Sequence, residues 1–403
     1  MTLPAPSALA AHWALDPAVV FLNHGSFGAC PRVVMQRQQE LRARLEAEPV
    51  LFLGRQLESL LDPARHELAA LVHCDAADVA FVPNATTGVN TVLRSLVFEP
   101  GDELLVTDHG YNACRNAVDF VAARSGASVV TANIPLPLRS PQQVHDAVME
   151  RVTERTRLLL IDHVTSPTGL VLPVEQIVRE LNARGIDTLV DGAHAPGMLP
   201  LDLDGLGAAY YTGNCHKWLC SPKGSALLHV RRDRQAEVRP LAISHGANSA
   251  RTDRSRFRLE FDFTGTDDVT PYLCVPDAIR FLGTLLPGGL PALQRHNHEL
   301  ALRARSLLCA AVGSAPICSE SMIGSLASVV LPTSAEPDVN GLDPLQIALF
   351  ERHHIEVPVM RWPQPRLRLL RVSPQAYNND AQYQHLAQAL RSEGVAAATR
   401  ASV

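Results

Sequence analysis

The feature that most constrains the fold of this chain is a series of short, almost continuous apolar segments separated by helix-like stretches. In the stretch 173–185, apolar side chains recur at helical spacing, at Val174, Ile177, Val178 and Leu181. The apolar segments occupy residues 79–83, 103–108, 127–132, 157–164, 187–191 and 225–230. Apolar strands that alternate with helices are typical of a mainly parallel sheet covered by helices on both faces. We therefore predict an α/β fold with a large, mainly parallel sheet.

The pattern changes after about residue 275. Helix-like residues 291–312 precede a strand-like segment at 325–332, and helix-like residues 343–354 precede a second strand-like segment at 366–373. This order predicts a smaller C-terminal α+β domain. We therefore divide the chain into an N-terminal arm (1–20), a large domain (21–275) and a small domain (276–403), and we expect the arm to fold onto one of the two domains.

Composition argues against several classes of function. Hydrophobic residues make up 46% of the 403 residues and the formal net charge is −5, which gives no electrostatic basis for binding nucleic acid or an anionic membrane. No apolar run reaches the roughly 18 residues that a membrane-spanning helix needs. The N-terminus has no basic residue ahead of its apolar part, so we expect no signal peptide and a cytoplasmic location. Eight cysteines without CxxC and sixteen histidines without HExxH predict no metal site.

Two segments contain the residues of clearest chemical interest. Lys217 stands between His216 and Trp218 in the segment GNCHKWLCSPKG, directly before the last apolar segment. Taken alone, a lysine near a glycine is as readily a helix-end residue as a functional one. Asp191 ends an apolar strand-like segment, and ligands bind at the carboxyl ends of parallel strands. Its carboxylate could keep a cofactor ring nitrogen protonated, or it could cap a helix.

Two further segments lie where a strand-like run gives way to a helix. In NATTG, the hydroxyls of Thr86 and Thr87 and the N–H groups of a helix N-terminus form a site suited to phosphate. Helix capping by Asn84 explains the same residues. Tyr111 follows the strand-like run at 103–108, where its ring could face a flat cofactor or pack in the core.

Together these segments resemble the aminotransferase class V family of fold-type I pyridoxal-phosphate enzymes, and within it the isopenicillin N epimerase group. They occur in the family's order from residue 21 to 378, nearly the whole chain, and as a set they are highly specific. The motifs that match are FLNHGSFGACP, NATTGVN, TDHGYNA, HVTSPTGLVLPV, DGAHAPG, GNCHKWLCSPKG, FTGTDDVTPYL and LRVSPQAYN. The resemblance implies pyridoxal 5′-phosphate as cofactor and a small-molecule amino acid as substrate.

The resemblance also implies a role for each matching residue. Lys217 forms a Schiff base with the cofactor, Asp191 pairs with its pyridine nitrogen, and Tyr111 occupies the ring-stacking position. Other cofactor contacts are Ser166 and His194 near the ring hydroxyl, Thr86, Thr87, Asn214 and His216 at the phosphate, and Thr266 from the second subunit of a homodimer. On the substrate side, Arg371 clamps the α-carboxylate with its bidentate fork, and the N-terminal contacts are Asn23, His24 and Phe27.

The matching residues leave the reaction open. With Lys217 as general base at Cα, return of the proton to the opposite face is epimerisation, loss of a sulfur group is a C–S lyase reaction, and proton transfer to the cofactor is transamination. We expect epimerisation first, with a C–S lyase acting on a cysteine conjugate, or an aminotransferase, as alternatives. Epimerisation needs a second acid, for which Tyr111, His109 and His24 are candidates.

Two other functions are disfavoured. Cysteine desulfuration needs a nucleophilic cysteine shortly before the carboxylate-binding arginine, and residues 355–371 contain none. A cofactor-binding protein without catalytic activity would have no need to retain both Lys217 and Asp191.

Overall fold

The computed structural model describes residues 3–362 and 367–395 of the chain. Its strands, in chain order, are β1 (Val20–Phe21), β2 (Val79–Val82), β3 (Glu103–Thr107), β4 (Ser128–Ala132), β5 (Thr156–Asp162), β6 (Asp187–Asp191), β7 (Tyr210–Asn214), β8 (Ala226–Val230), β9 (Ala327–Leu331), β10 (Ile355–Glu356), β11 (Val359–Trp362) and β12 (Leu367–Val372).

Seven of these strands form the central sheet, in the order β2-β8-β7-β6-β5-β3-β4. The strands from β7 to β4 run parallel, whereas β8 is antiparallel to both of its neighbours. Because β2 and β7 both run opposite to β8, β2 points the same way as the parallel strands. This mainly parallel, mixed sheet confirms the predicted α/β fold.

The helices of the chain cover both faces of the central sheet or pack in the C-terminal part. They are α1 (His24–Phe27), α2 (Arg32–Ala47), α3 (Pro49–Leu51), α4 (Leu57–Leu71), α5 (Ala85–Ser95), α6 (Asn112–Ser125), α7 (Gln142–Met149), α8 (Val174–Ala183), α9 (Leu203–Leu206), α10 (Arg256–Phe261), α11 (Thr270–Leu273), α12 (Val275–Thr284), α13 (Gly289–Val312), α14 (Pro344–His353) and α15 (Asp380–Ser392). Leu104 and Val106 of β3 belong to one buried apolar cluster and Leu105 to another. Alternate side chains of a strand point to opposite faces, so the sheet separates two apolar layers.

The C-terminal part contains a three-stranded antiparallel sheet, in the order β11-β12-β9. The first residues of the chain contact this part: the Ser7 hydroxyl donates to the Ala376 carbonyl at 2.8 Å, and β1 pairs in parallel with β10. The domain boundaries near residues 20 and 275 stay a prediction.

No single helix in the described ranges is long and apolar enough to span a membrane. Only the pair formed by Thr270–Thr284, which comprises α11 and α12, and α13 passes the length and composition test, and it is bent by 72° at the break.

Candidate active site

A cavity of about 750 Å³ lies at the carboxyl-terminal edge of the central sheet. Most of the predicted site residues line it, namely Phe27, Thr86, Thr87, Tyr111, Ser166, Asp191, His194, Asn214, His216 and Lys217. The five strands β2, β3, β5, β6 and β7 end at this edge, and the loop after each one contributes to the lining. Parallel strands bring segments that are far apart in sequence to one place, where ligands bind in open α/β sheets.

The side chain of Lys217 contacts His194, which in turn contacts Trp218. Its Nζ lies 3.1 Å from His194 Nε2, and Trp218 Nε1 donates to His194 Nδ1 at 3.3 Å. Because an indole N–H only donates, the ring proton of neutral His194 resides on Nε2. That N–H can donate to Lys217 only when Nζ is an unprotonated amine. Burial, followed by the charge of Arg371, lowers the pKa of Lys217 to about 8.

A glycine lets the N-terminal segment pack against the Lys217 backbone. Gly28 has φ +70°, and a Cβ built there would lie 2.1 Å from the carbonyl oxygen of His216. Only glycine tolerates both this backbone conformation and this close approach. The segment before Gly28 therefore reaches the cavity, where Ser26 and Phe27 form part of its wall.

Asp191 and Asp162 form a pair of buried carboxyl groups. They are register partners on the neighbouring strands β5 and β6, so their side chains point to the same side. Cys114 Sγ donates to Asp191 Oδ2 at 3.1 Å and the Ala193 N–H donates to Oδ1 at 3.0 Å. Burial raises the pKa of both acids, and the Asp191 charge raises that of Asp162 further. The Tyr111 backbone N–H, at the start of α6, lowers the pKa of Asp162 and so opposes part of this shift.

Asp162→Asn should make the stability of the cofactor-free protein less dependent on pH. A carboxyl group whose folded pKa is raised stabilises the fold below its unfolded pKa, and this contribution is lost as pH rises through the folded value. Asparagine cannot ionise, so the variant does not lose this stability as pH rises and has no charge repulsion with Asp191. We expect the variant's melting temperature, relative to wild type, to be about 1–3 °C higher at pH 8 than at pH 5. Thermal scans at the two pH values measure this.

The exposed Asp119 offers a matched control for that comparison. Asp119→Asn makes the same chemical change at the surface, where Asp119 pairs with Arg115 of the same helix, so we expect its difference from wild type to be the same at both pH values. An Asp162→Asn difference that is also independent of pH would contradict the assignment.

The N-terminus of α5 provides neutral hydrogen-bond donors at the cavity. Asn84 caps the helix by accepting from the Thr87 N–H at 2.8 Å and from its hydroxyl at 3.1 Å. The Ala85 N–H donates to Asn214 Oδ1 at 2.9 Å, which ties β7 to this helix end. Helix N-termini favour anions because their N–H groups have no partner within the helix. Here Asn84 and Asn214 already accept from the Ala85 and Thr87 N–H groups and from the Thr87 hydroxyl, whereas the Thr86 N–H and hydroxyl have no such partner among the described residues. The groups of Thr86 are therefore the ones left at this helix end to bind a phosphate.

Arg371 is a buried cation that hydrogen-bonds only to uncharged groups. One terminal nitrogen donates to the Ser166 carbonyl at 2.6 Å and to the Ser166 hydroxyl at 3.1 Å. The other donates to Ser26 Oγ at 2.9 Å and to Asn23 Oδ1 at 3.3 Å, while Nε is buried without a partner. Buried charges in proteins are normally paired, and Arg371 has no carboxylate partner among the described residues. Ser26 and Ser166 line the cavity, so an anion bound there would complete this site.

Four predicted residues do not line the cavity. His24 is fully buried, with Nδ1 2.7 Å from the Tyr377 hydroxyl and Nε2 3.0 Å from the Lys217 carbonyl oxygen. Asn23 contacts Arg371 and donates to Glu356 Oε1 at 3.2 Å. Arg371 lies behind the cavity wall and donates to Ser26 and Ser166, which line the cavity. Thr266 is exposed and lies in a separate surface groove with Val50.

The three candidates for a second acid occupy different environments. Burial lowers the pKa of His24 to about 3 and that of His109 to about 4, and neither lines the cavity. His109 Nδ1 instead lies 2.9 Å from the Thr168 hydroxyl. Tyr111 lines the cavity and is 44% exposed. Of these three, the cavity therefore includes only Tyr111.

The donor set of the cavity fits pyridoxal phosphate. Such a cofactor needs a primary amine, an acid opposite its ring nitrogen, a flat wall and phosphate donors. Lys217, Asp191 and Tyr111 supply the first three, and the α5 N-terminus supplies the fourth. The α/β fold and this cavity place the protein in the class of fold-type I pyridoxal-phosphate enzymes.

The chain belongs to the aminotransferase class V family, whose profile matches residues 20–386. It is 37% identical to isopenicillin N epimerase of Streptomyces clavuligerus over 390 residues, which cover 93% of this chain and 95% of the epimerase. It is 29% identical to a probable chloroplastic L-cysteine desulfhydrase of Arabidopsis thaliana, with coverage of 93% and 83%.

A solved structure also shares the fold. It is a C-DES variant with glycine covalently linked to its PLP cofactor, with a TM-score of 0.76, 21% identity, and coverage of 92% of this chain and 96% of that one. The family and this PLP-bound neighbour together indicate pyridoxal 5′-phosphate as the cofactor. The described residues contain no group of three or more His, Cys, Asp or Glu side chains arranged to hold a metal ion.

Sequence reasoning missed three residues that the structure places at the site. Asp162 ends an apolar strand just as Asp191 does, so the same signal was available for both. Cys114 sits in the first turn of α6 and contacts Asp191 only through the fold, so no sequence pattern pointed to it. Lys223 lines the cavity six residues after Lys217.

Proposed function

We propose that this enzyme epimerises the Cα of an amino acid with an extended side chain. The observation that supports this most is that Lys217 and Tyr111 line one cavity together with Ser26 and Ser166, the serines to which the buried Arg371 donates. Burial lowers the pKa of Arg371 to about 10 and Tyr111 raises it, while Arg371 in turn lowers that of Lys217. In this proposal Arg371 binds the substrate carboxylate, and Lys217 and Tyr111 serve as the proton-transfer groups on the two sides of Cα. The epimerase relative supports the same reaction.

Bound pyridoxal phosphate supplies an electron-withdrawing ring that acidifies the Cα–H bond of the substrate. Arg371 holds the α-carboxylate, and Asp191 supplies the negative charge next to the ring nitrogen. Lys217 Nζ, as a neutral amine oriented by His194, takes the proton from Cα. The Tyr111 hydroxyl returns a proton to the opposite face.

The remaining residues hold the cofactor in this proposal. Thr86, Thr87, Asn214 and His216 bind the phosphate, and Ser166 and His194 lie near the ring hydroxyl. Thr266 would reach the cavity of a second subunit. The groove that contains Thr266 is exposed and carries Val50, which is 65% exposed. This exposure leaves Thr266 accessible to a second copy of the chain, as a homodimer requires.

A C–S lyase is the second candidate, because the desulfhydrase relative covers as much of this chain as the epimerase does. Both reactions begin with the same proton transfer to Lys217. They differ in whether a sulfur group leaves Cβ before a proton returns to Cα. Transamination, the third outcome, would instead place the proton on the cofactor.

Proton NMR in D₂O separates these outcomes. Purified holoenzyme is incubated with L- and D-amino acids and cysteine conjugates. We expect deuterium at Cα, conversion of each enantiomer into the other and no net consumption. Pyruvate and ammonia release without inversion would replace the proposal by β-elimination, and keto-acid formation by transamination. Tyr111→Phe is the matched control, because it should retain exchange through Lys217 but lose inversion by about 100-fold or more.

A further inference from the structure

The use of lysine in this chain is confined to one short segment. Of the 36 lysine and arginine residues, only Lys217 and Lys223 are lysine. At 217 an arginine could not replace it, because a guanidinium does not deprotonate to a nucleophilic amine. No such requirement is evident for Lys223, yet this position too carries a primary ammonium group where the chain otherwise uses arginine.

Lys223 lies at the exposed rim of the same cavity. It is in the loop between Lys217 and β8, and it lines the cavity together with Ser26 and Phe27. Its side chain is exposed, and that of Phe27 is 74% exposed. Lys223 is therefore positioned to meet a part of the ligand that extends outward from the buried end of the cavity.

No acidic side chain among the described residues neutralises Lys223. Burial lowers the pKa of Lys223, and the groups that raise it are the thiols of Cys30 and Cys220. Burial raises the pKa of Cys30 to about 11 and raises that of Cys220 as well, so both thiols are uncharged at neutral pH. The ammonium group thus faces the cavity with its charge available.

Lys223 and Arg371 occupy different places relative to the cavity. Lys223 belongs to the lining, whereas Arg371 lies behind it and donates to the lining residues Ser26 and Ser166. Beyond the effect of burial, Arg371 lowers the pKa of Lys217 and His194, whereas Lys223 lowers that of His216 and His24. The site therefore has two separate cations, one behind the cavity wall and one in its lining.

We propose that Lys223 binds a second carboxylate at the other end of the substrate, so that the enzyme selects amino acids whose side chain ends in an anion. This inference rests on the proposed function, in which Arg371 holds the α-carboxylate. A single flexible ammonium suits a monodentate contact at the rim, whereas the planar fork of Arg371 suits the bidentate contact inside.

The cofactor phosphate is the other anion within reach, because His216 is close to both Lys217 and Lys223. The phosphate donors Thr86, Thr87 and Asn214 are half-buried or buried, whereas Lys223 is exposed. This difference in depth favours the substrate as the partner. The experiment separates the two sources.

Matched carboxylic acids test the proposal without any turnover. Adipate and hexanoate have the same six-carbon chain and differ by one carboxylate, and glutarate and pentanoate form a five-carbon pair. Isothermal titration of the holoenzyme gives a dissociation constant for each acid. Of the two diacids, the one that binds more tightly to wild type should have a dissociation constant at least about tenfold lower than that of the monoacid of the same length. This is the effect expected of one charge-assisted hydrogen bond.

Variants of Lys223 test whether this residue causes the preference for the diacid over the monoacid. Lys223→Met should reduce it to less than about twofold without changing monoacid or cofactor affinity, and Lys223→Arg should keep most of it. Equal affinities in wild type, or a preference that persists in Lys223→Met, overturn the proposal. A tenfold loss of cofactor affinity in Lys223→Met, with the diacid preference intact, assigns the lysine to the phosphate and also overturns the proposal.

Arg371→Lys should weaken the binding of diacid and monoacid alike. If it weakens neither, the carboxylate clamp of the proposed function fails, while the diacid preference still reports on Lys223.

Discussion

Lys217→Ala should abolish covalent attachment of the cofactor and reduce Cα exchange by about 1,000-fold or more. The variant loses the amine that we propose as both the cofactor anchor and the general base, and general-base catalysis alone contributes about 10²–10⁴ in rate. Purified protein should lack the visible absorbance that borohydride reduction removes from wild type. A variant that kept this absorbance at the wild-type level would refute the assignment.

The scarcity of lysine makes this experiment unusually clear. Only Lys223 could substitute for Lys217 as a primary amine on a side chain. Lys223→Met is the matched control, and it should keep the cofactor covalently attached. Peptide mapping of the borohydride-reduced wild type should place the modification on Lys217. A modification found on Lys223 would show that the wrong lysine was assigned.

Asp191→Asn should have the second largest effect, with cofactor affinity and exchange rate each falling about 100-fold. Asparagine has nearly the same shape but lacks the negative charge that would pair with a protonated ring nitrogen. Removal of one partner from a buried charge pair typically costs about 3–5 kcal/mol. Fluorescence titration of the cofactor-free protein measures the affinity, and the NMR exchange assay measures the rate.

Asp162→Asn separates a general loss of negative charge from a specific role of Asp191. It removes a carboxyl group from the same buried pair, yet the electrostatics favour Asp162 as the member that stays protonated, since burial and the Asp191 charge both raise its pKa. Its effect on cofactor affinity should therefore be less than about tenfold. Similar losses in both variants would mean that the two acids act as one group and that Asp191 has no separate role.

The sequence predicted the central sheet well because its strands have an unambiguous pattern. The six apolar segments correspond to β2, β3, β4, β5, β6 and β8, and β7 lies between β6 and β8. The direction of β8 was not predictable. Apolar content shows that a strand is buried on both faces, but it does not show which neighbour the strand pairs with or in which direction.

The position of the cavity followed from the same pattern. Asp191, Tyr111 and the NATTG segment each follow a strand of a parallel sheet, and such strand ends lie at one edge. The histidines were harder to interpret. His24 and His109 occur in motifs that resemble the family, yet both are buried beside the cavity, with ring nitrogens engaged by Tyr377 and Thr168.

By itself, the sequence determined the fold class and the family and predicted Lys217 and Asp191 as site residues, because strand periodicity and ordered motifs are local properties of the chain. Only the tertiary structure decided which groups face one another. It paired Asp162 with Asp191, placed Cys114 on the Asp191 carboxyl group, left Arg371 without an acidic partner and brought Lys223 to the rim. These contacts join residues far apart in sequence, and burial and distance, which set the charge of each group, exist only once the chain has folded.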